Sequence, residues 1–225
     1  MRVRLLAFAS AAEALGDAER ELELPDGTTA GTLRARLLAD HPAFAPLLPR
    51  LAIAVDGQVV GDDAPLVDGA EVALLPPVSG GAAPGAAARA WITEEPLDAA
   101  AVTALVASPG YGATVVFVGT VRDHLGGRAV ERLSYIAYAS MAEQRMERIV
   151  AELEAAHGAR LAIAHRVGTL QPGEPSVVIA VAAPHREAAY AASRECLERI
   201  KREVPVWKRE HYAGGEARWR EEEGL

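Results

Sequence analysis

The chain has a single cysteine, Cys196, so it has no partner for an internal disulfide and no thiolate set for zinc. Lysine is nearly as scarce. Of 23 basic residues, 21 are arginine and only Lys201 and Lys208 are lysine. No apolar run approaches the ~18 residues that a membrane helix needs. Met1 to Ser10 alternates arginine with apolar residues and lacks the unbroken apolar stretch of a signal peptide. Positive charge is in deficit, with a net −8, which argues against general nucleic-acid binding. Walker loops, the G-x-G-x-x-G fingerprint, H-E-x-x-H and G-x-S-x-G are all missing. A cytoplasmic protein is expected, with no nucleic-acid or membrane partner.

What is present divides in two. At 225 residues, half of them hydrophobic, the chain can form one large domain or two small ones. The run Ser79-Gly80-Gly81-Ala82-Ala83-Pro84-Gly85-Ala86-Ala87-Ala88 holds only small residues and proline. It offers no apolar face to bury and reads as a flexible linker. Residues 1–81 carry 6 Arg against 12 Asp and Glu, and residues 82–225 carry 17 basic against 19 acidic residues. The expected domains are therefore 1–81 and 90–225, joined by a linker at 82–89.

In the first unit, Val3, Leu5 and Ala7 alternate with Arg2 and Arg4 as in a strand. A second short strand, Glu21 to Leu24, ends at Pro25-Asp26-Gly27. Thr28 or Thr29 caps a helix with Leu33, Leu37 and Leu38 on one face, and strands follow at Leu51 to Val55 and Glu71 to Leu75. Strand–strand–helix–strand–strand before Gly-Gly is the order of a β-grasp, ubiquitin-like domain. In the second unit Asp98 caps a short helix, and Ala113 to Val118 reads as a buried-type strand. Val130 to Tyr138 reads as a longer strand. Ser140 and Glu143 form a capping box for a helix that places Met146, Ile149, Val150 and Leu153 on one face and stops at Gly158. Strands at Leu161 to Val167 and Val177 to Ala182 precede a long helix from about His185, which ends before Pro205. The fold class is α+β.

Four segments can carry chemistry, and each has a plain structural explanation beside it. Gly80-Gly81 makes a thin tail able to enter a narrow site, or simply begins the linker. Phe117-Val118-Gly119-Thr120-Val121-Arg122-Asp123-His124 places a guanidinium at a strand end, suited to gripping phosphate through paired hydrogen bonds, or to pairing with Asp123. His185-Arg186 opens the last helix, where free amides favour anions. His165-Arg166 lacks such a helix and reads as bland. Lys201 and Lys208 flank Pro205, and a lysine can act as a nucleophile or base where arginine cannot. A cation at a helix C-terminus explains Lys201 without chemistry. Cys196, inside a helix, reads as a small core residue.

The run Asp68 to Gly81 closely resembles the C-terminus of molybdopterin synthase small subunits. Phe117 to His124, Ala183-Pro184-His185-Arg186 and Lys201 to Glu210 together resemble the large subunit, in family order over about 90–225. The chain thus resembles the two subunits fused. The resemblance implies that a Gly81 thiocarboxylate donates sulfur to cyclic pyranopterin monophosphate, forming the dithiolene of molybdopterin. It places Phe117, Arg122, His185 and Arg186 in substrate binding, and Lys201, Lys208 and Gly81 in catalysis. It also implies an ATP-dependent adenylating and sulfurating enzyme as a partner, a homodimer through the C-terminal domain, and no metal or redox cofactor, since the sulfur arrives already activated. The family pattern Leu-Glu-Tyr-Glu-Ala-Tyr is here Leu133-Ser134-Tyr135-Ile136-Ala137-Tyr138, with two acidic positions lost. A thiocarboxylate needs a free C-terminus, yet Gly81 is bonded to Ala82, so a protease cut after Gly81 is expected. The alternative is a non-catalytic form in which the uncut β-grasp domain plugs the pterin site. A carrier for another thiolation pathway is disfavoured by the FVGTVRDH and WKRE segments.

Overall fold

The computed structural model describes residues 1–47, 51–76 and 89–220. Contacts divide the chain into two compact units, Met1–Gly81 and Ala82–Leu225. Gly81 and the 82–88 part of the expected linker lie outside the described residues.

The first unit is a five-stranded sheet in the order β2-β1-β5-β3-β4. Its strands are β1 (Arg2–Ala7), β2 (Glu19–Glu23), β3 (Ala52–Val55), β4 (Gln58–Val60) and β5 (Glu71–Leu75). β1 and β5 run parallel at the centre, and the other pairs are antiparallel. Helix α2 (Ala30–Asp40) lies on one face; Thr29 caps it by accepting from the Thr32 amide. Val3, Leu5, Leu33, Leu37, Ile53, Val72 and Leu74 close the core. This is the expected β-grasp, with two additions the sequence reading lacked: β4, and helix α1 (Ser10–Leu15) after β1.

The second unit holds two sheets. The first has the order β6-β10-β12-β7, comprising β6 (Ala90–Thr93), β10 (Arg160–Arg166), β12 (Pro175–Ala183) and β7 (Ala113–Thr120). Helices α4 (Ala139–His157) and α5 (Arg186–Glu203) cover one face through Met146, Ile149, Leu153, Ala189, Cys196 and Ile200. The short helix α3 (Ala99–Ala104), capped by Asp98, covers the β10 and β12 part of the other face. Cys196 is buried, which pushes its thiol up to about 12 and matches its reading as a core residue. No helix among the described residues is long and apolar enough to cross a membrane.

The second sheet runs β11-β9-β13-β14, with β8 added to β9. Its strands are β8 (His124–Leu125), β9 (Arg128–Ala137), β11 (Gly168–Leu170), β13 (Val206–Tyr212) and β14 (Ala217–Arg220).

Two local expectations are corrected. β7 is an edge strand rather than a buried one: Thr114, Val116, Val118 and Thr120 are exposed, while Val115 and Phe117 pack on the helices. Ser140 and Glu143 form no capping box, because the cap of α4 falls two residues earlier, at Tyr138, with no side-chain cap bond. Glu143 instead accepts the Ile92 amide at 3.0 Å, and Glu147 accepts those of Arg89 and Ala90. These carboxylates bind amides of the β6 edge to α4.

Candidate active site

β12 and β7 are paired antiparallel with Ala183 opposite Ala113 and Pro175 opposite Thr120. The two ends of this pair carry different chemistry. Beyond Thr120 the chain leaves the first sheet through Val121, which donates to the Glu174 carbonyl and accepts from the Gly173 amide. Val121 is buried in a small second core with Val130, Leu133, Leu170 and Tyr212. Arg122 follows directly and is exposed.

β13 supplies the other side. After α5 the chain turns at Val204-Pro205, and Val206–Tyr212 pairs with β9. In this register Lys208 faces Tyr135, and Glu210 faces Leu133. These four residues, with Thr120, Arg122, His124, Leu125 and Val130, line a pocket of about 130 Å³. Glu210 is buried and accepts a short hydrogen bond from the Tyr212 hydroxyl, while Arg128 stacks 3.9 Å above the Tyr212 ring. The pocket therefore presents two cations and an imidazole around one buried carboxylate, a lining that suits an anionic, hydrogen-bonding ligand.

His165 stands behind this wall. It is buried, packs edge-on against Tyr135 with ring centroids 5.4 Å apart, and its Nδ1–H donates to the Arg166 carbonyl at 3.0 Å. Burial pushes its imidazole down to about 4, with the nearby Lys208 ammonium acting in the same direction. The bland reading of His165 thus misses a contact with the pocket wall. Arg166 fits it, bonding Glu174 and the Glu94 carbonyl.

Of the residues expected to act, the structure brings Arg122 and Lys208 to this pocket. Phe117 lies on the other face of β7 against the α4 and α5 core. It also bears on Gly119, where an added Cβ would meet Val177 Cγ1 at 2.7 Å and the Phe117 ring at 3.3 Å. Lys201 sits exposed on the last turn of α5, outside the pocket lining. His185 and Arg186 are exposed at the first turn of α5, where His185 is the N-cap residue and makes no side-chain capping bond. They follow the Ala183 end of β12, so within one chain they lie at the far end of β7 from Arg122. Thr120, His124, Tyr135 and Glu210 were not singled out from the sequence. His124 and Glu210 stood inside the FVGTVRDH and WKRE segments, whereas only the strand register shows that Tyr135 faces Lys208. Among the described residues no cluster of His, Cys, Asp or Glu could hold a metal ion.

A β-grasp unit whose sequence runs into Gly80-Gly81, followed along the chain by a unit whose pocket is lined by Arg122 and Lys208, defines a class: a sulfur carrier and its acceptor enzyme in one polypeptide. Residues 92–203 match the MoaE protein family, and residues 5–81 match the ThiS family. Catalytic subunit 1 of molybdopterin synthase from Mycobacterium tuberculosis is 45% identical over 138 residues, covering 61% of this chain and 93% of that protein. The catalytic subunit from Bacillus subtilis is 45% identical over 129 residues, covering 57% of this chain and 82% of its own. The crystal structure of molybdopterin synthase from Staphylococcus aureus superposes with a TM-score of 0.57 at 37% identity, over 59% of this chain and 97% of that one. The chain belongs to the molybdopterin synthase catalytic-subunit family and carries a ThiS-family domain ahead of it. It is an enzyme of molybdenum cofactor biosynthesis that acts by sulfur transfer.

Proposed function

We propose that the chain transfers sulfur from a Gly81 thiocarboxylate to cyclic pyranopterin monophosphate, twice, to give the molybdopterin dithiolene. Convergence of Arg122 and Lys208 on one pocket carries this reading, because Arg122 lies in the loop after β7, Lys208 lies on β13, and the pocket suits an anion. Arg122 grips phosphate or the pterin's polar edge, and Lys208 neutralises charge that builds up during transfer. Lys201 serves the incoming thiocarboxylate as acid/base or transient nucleophile. It is exposed at the last turn of α5, where an incoming carrier tail can reach it. Phe117 contributes by packing behind β7 rather than by touching the substrate.

His185 and Arg186 require a second copy. α5 separates them from Lys201 by about 24 Å along its axis, at the usual rise per residue. One chain cannot place both groups on one small substrate. A homodimer through the C-terminal units, in which each chain lends His185 and Arg186 to the other's pocket, gathers the whole set.

The donor chemistry adds two partners. An ATP-dependent enzyme adenylates and sulfurates Gly81, and a protease first cuts after Gly81 to free the carboxylate. All of this takes place in the cytoplasm. Incubating the sulfur-loaded protein with cyclic pyranopterin monophosphate tests the reading: molybdopterin is the expected product, and its absence would remove the proposal.

A further inference from the structure

His124 enters the pocket by a route that fixes its chemistry. It opens β8, which pairs with β9 in a hairpin with His124 opposite Ala129 and Leu125 opposite Arg128. Gly126 and Gly127, at φ +54° and +77°, take the left-handed conformations that so tight a reversal needs. The hairpin is braced on both arms. Leu125 packs on the second core, and the Val130 amide donates to the Asp123 carbonyl at 2.7 Å. Arg128 bonds Glu216 at 2.7 Å and stacks on Tyr212. An imidazole on this support lines the pocket beside Arg122 and Lys208.

Asp123 sets which nitrogen can act. Its Oδ1 lies 2.5 Å from His124 Nδ1. A carboxylate only accepts, so Nδ1 carries the proton, and in the neutral ring Nε2 is left as the basic atom. A base oriented by a carboxylate is the arrangement that general acid–base chemistry uses.

We propose that His124, oriented by Asp123, is the proton-transfer residue of this pocket, acting on the water that releases the carrier. The proposal rests on the sulfur-transfer reading above. When the thiocarboxylate sulfur bonds to a pterin carbon, a carbon–oxygen bond at that carbon breaks and its electron pair leaves with the oxygen; the sulfur still carries the Gly81 acyl group, as a thioester. Water must then add to the acyl carbon. Its oxygen bonds to that carbon while His124 Nε2 takes one of its protons. The carbon–sulfur bond to the acyl group breaks, and its electron pair stays on the sulfur as the pterin thiolate. The acyl group leaves as a carboxylic acid, and the imidazolium returns its proton to solvent. No oxidant or reductant is needed. The other ionisable groups that line the pocket with His124 are Arg122, Lys208, Glu210 and the Tyr135 phenol.

The test is single-turnover conversion of cyclic pyranopterin monophosphate by the sulfur-loaded full-length protein, with the affinity for the pterin measured separately. His124→Gln is expected to slow turnover about 100-fold with affinity changed by less than about twofold. It should also remove the acid limb of the turnover–pH profile. Asp123→Asn, which leaves the imidazole in place, should retain that limb and lose roughly tenfold in rate. Turnover by His124→Gln within about twofold of the parent, or an affinity loss equal to the rate loss, would overturn the proposal. Thermal midpoints of the variants separate these results from misfolding. An unchanged midpoint is expected, and a rate loss accompanied by a collapsed midpoint counts against the proposal unless Asp123→Asn shows its own loss while folded. Failure of the parent protein to turn over would instead refute the sulfur-transfer reading.

Discussion

Lys208 on β13 stands directly opposite Tyr135 on β9, and His165 packs edge-on against that tyrosine from the neighbouring sheet. One lysine of the pair that flanks Pro205 is thus built into a pocket wall, while the other, Lys201, remains exposed at a helix end. Their different settings lead to different tolerances.

Lys208→Arg should keep much of the synthase activity, because arginine still neutralises charge. Lys201→Arg should lose at least about 100-fold, since arginine cannot give up its proton. Alanine at either position should be severely impaired. Single-turnover rates of the four variants check this, and equal tolerance of arginine at both sites would contradict the assigned roles.

The separation of His185 and Arg186 from Lys201 predicts complementation between chains. Lys201→Ala and Arg186→Ala should each be inactive alone. Co-expressed, they should recover roughly a quarter of the parent activity, from one intact site in each mixed dimer. Recovery of nothing, with mixed dimers demonstrated, would place all the groups in one chain.

His165 predicts a stability that depends on mild acid. Its folded value of about 4 lies below the ~6.5 of an unfolded histidine, so the unfolded chain takes up the proton first. The stabilisation is complete above pH ~6.5 and is lost as pH falls toward 4, by at most about 1.4 kcal/mol per pH unit. His211, lowered by burial and then by Arg132 and Arg209, acts in the same direction. Carboxylates held down by arginines, such as Glu152, lose their contribution only at lower pH. Between pH 7 and 5 the thermal midpoint of the parent should fall more steeply than that of His165→Gln; parallel slopes would rule the histidine out.

Arg145 predicts a gain. It lies on α4, is 2% exposed, and among the described residues its Nε and Nη2 have no hydrogen-bond partner. Burial, followed by the Arg148 charge, pushes its pKa down. Replacing an unpaired buried cation by an apolar side chain of similar length removes a desolvation penalty. Arg145→Met should raise stability by about 1–3 kcal/mol in denaturant titration; a loss would show that the guanidinium is bound by something other than the described residues.

Much of the fold was legible because local chemistry marked it. Thr29 and Asp98 cap as their side chains suggest, and Gly158, left-handed at φ +59°, ends α4 where the apolar periodicity stops. β13 was not legible: Trp207-Lys208-Arg209-Glu210-His211 is too charged to read as a strand, and only pairing with β9 makes it one. The Ser140–Glu143 spacing suggested a cap, but the free amides of β6 compete for Glu143, and a sequence pattern cannot weigh a partner so distant along the chain. The pocket itself was half legible. Arg122 and Lys208 could be nominated by residue type, whereas Tyr135 enters it through sheet register and His165 stands behind it by packing between the two sheets. Ser134, at a position where the family pattern has glutamate, bonds His211 Nε2 at 2.9 Å on the opposite face of the sheet from Lys208. The departure from the family pattern therefore leaves the pocket lining intact.

Intact mass spectrometry of the protein purified from its native host tests the central claim most directly. Sulfur donation from Gly81 predicts a fragment ending at Gly81 in which one oxygen is replaced by sulfur, together with a fragment beginning at Ala82. A single uncut mass from cells that are making molybdopterin would contradict it.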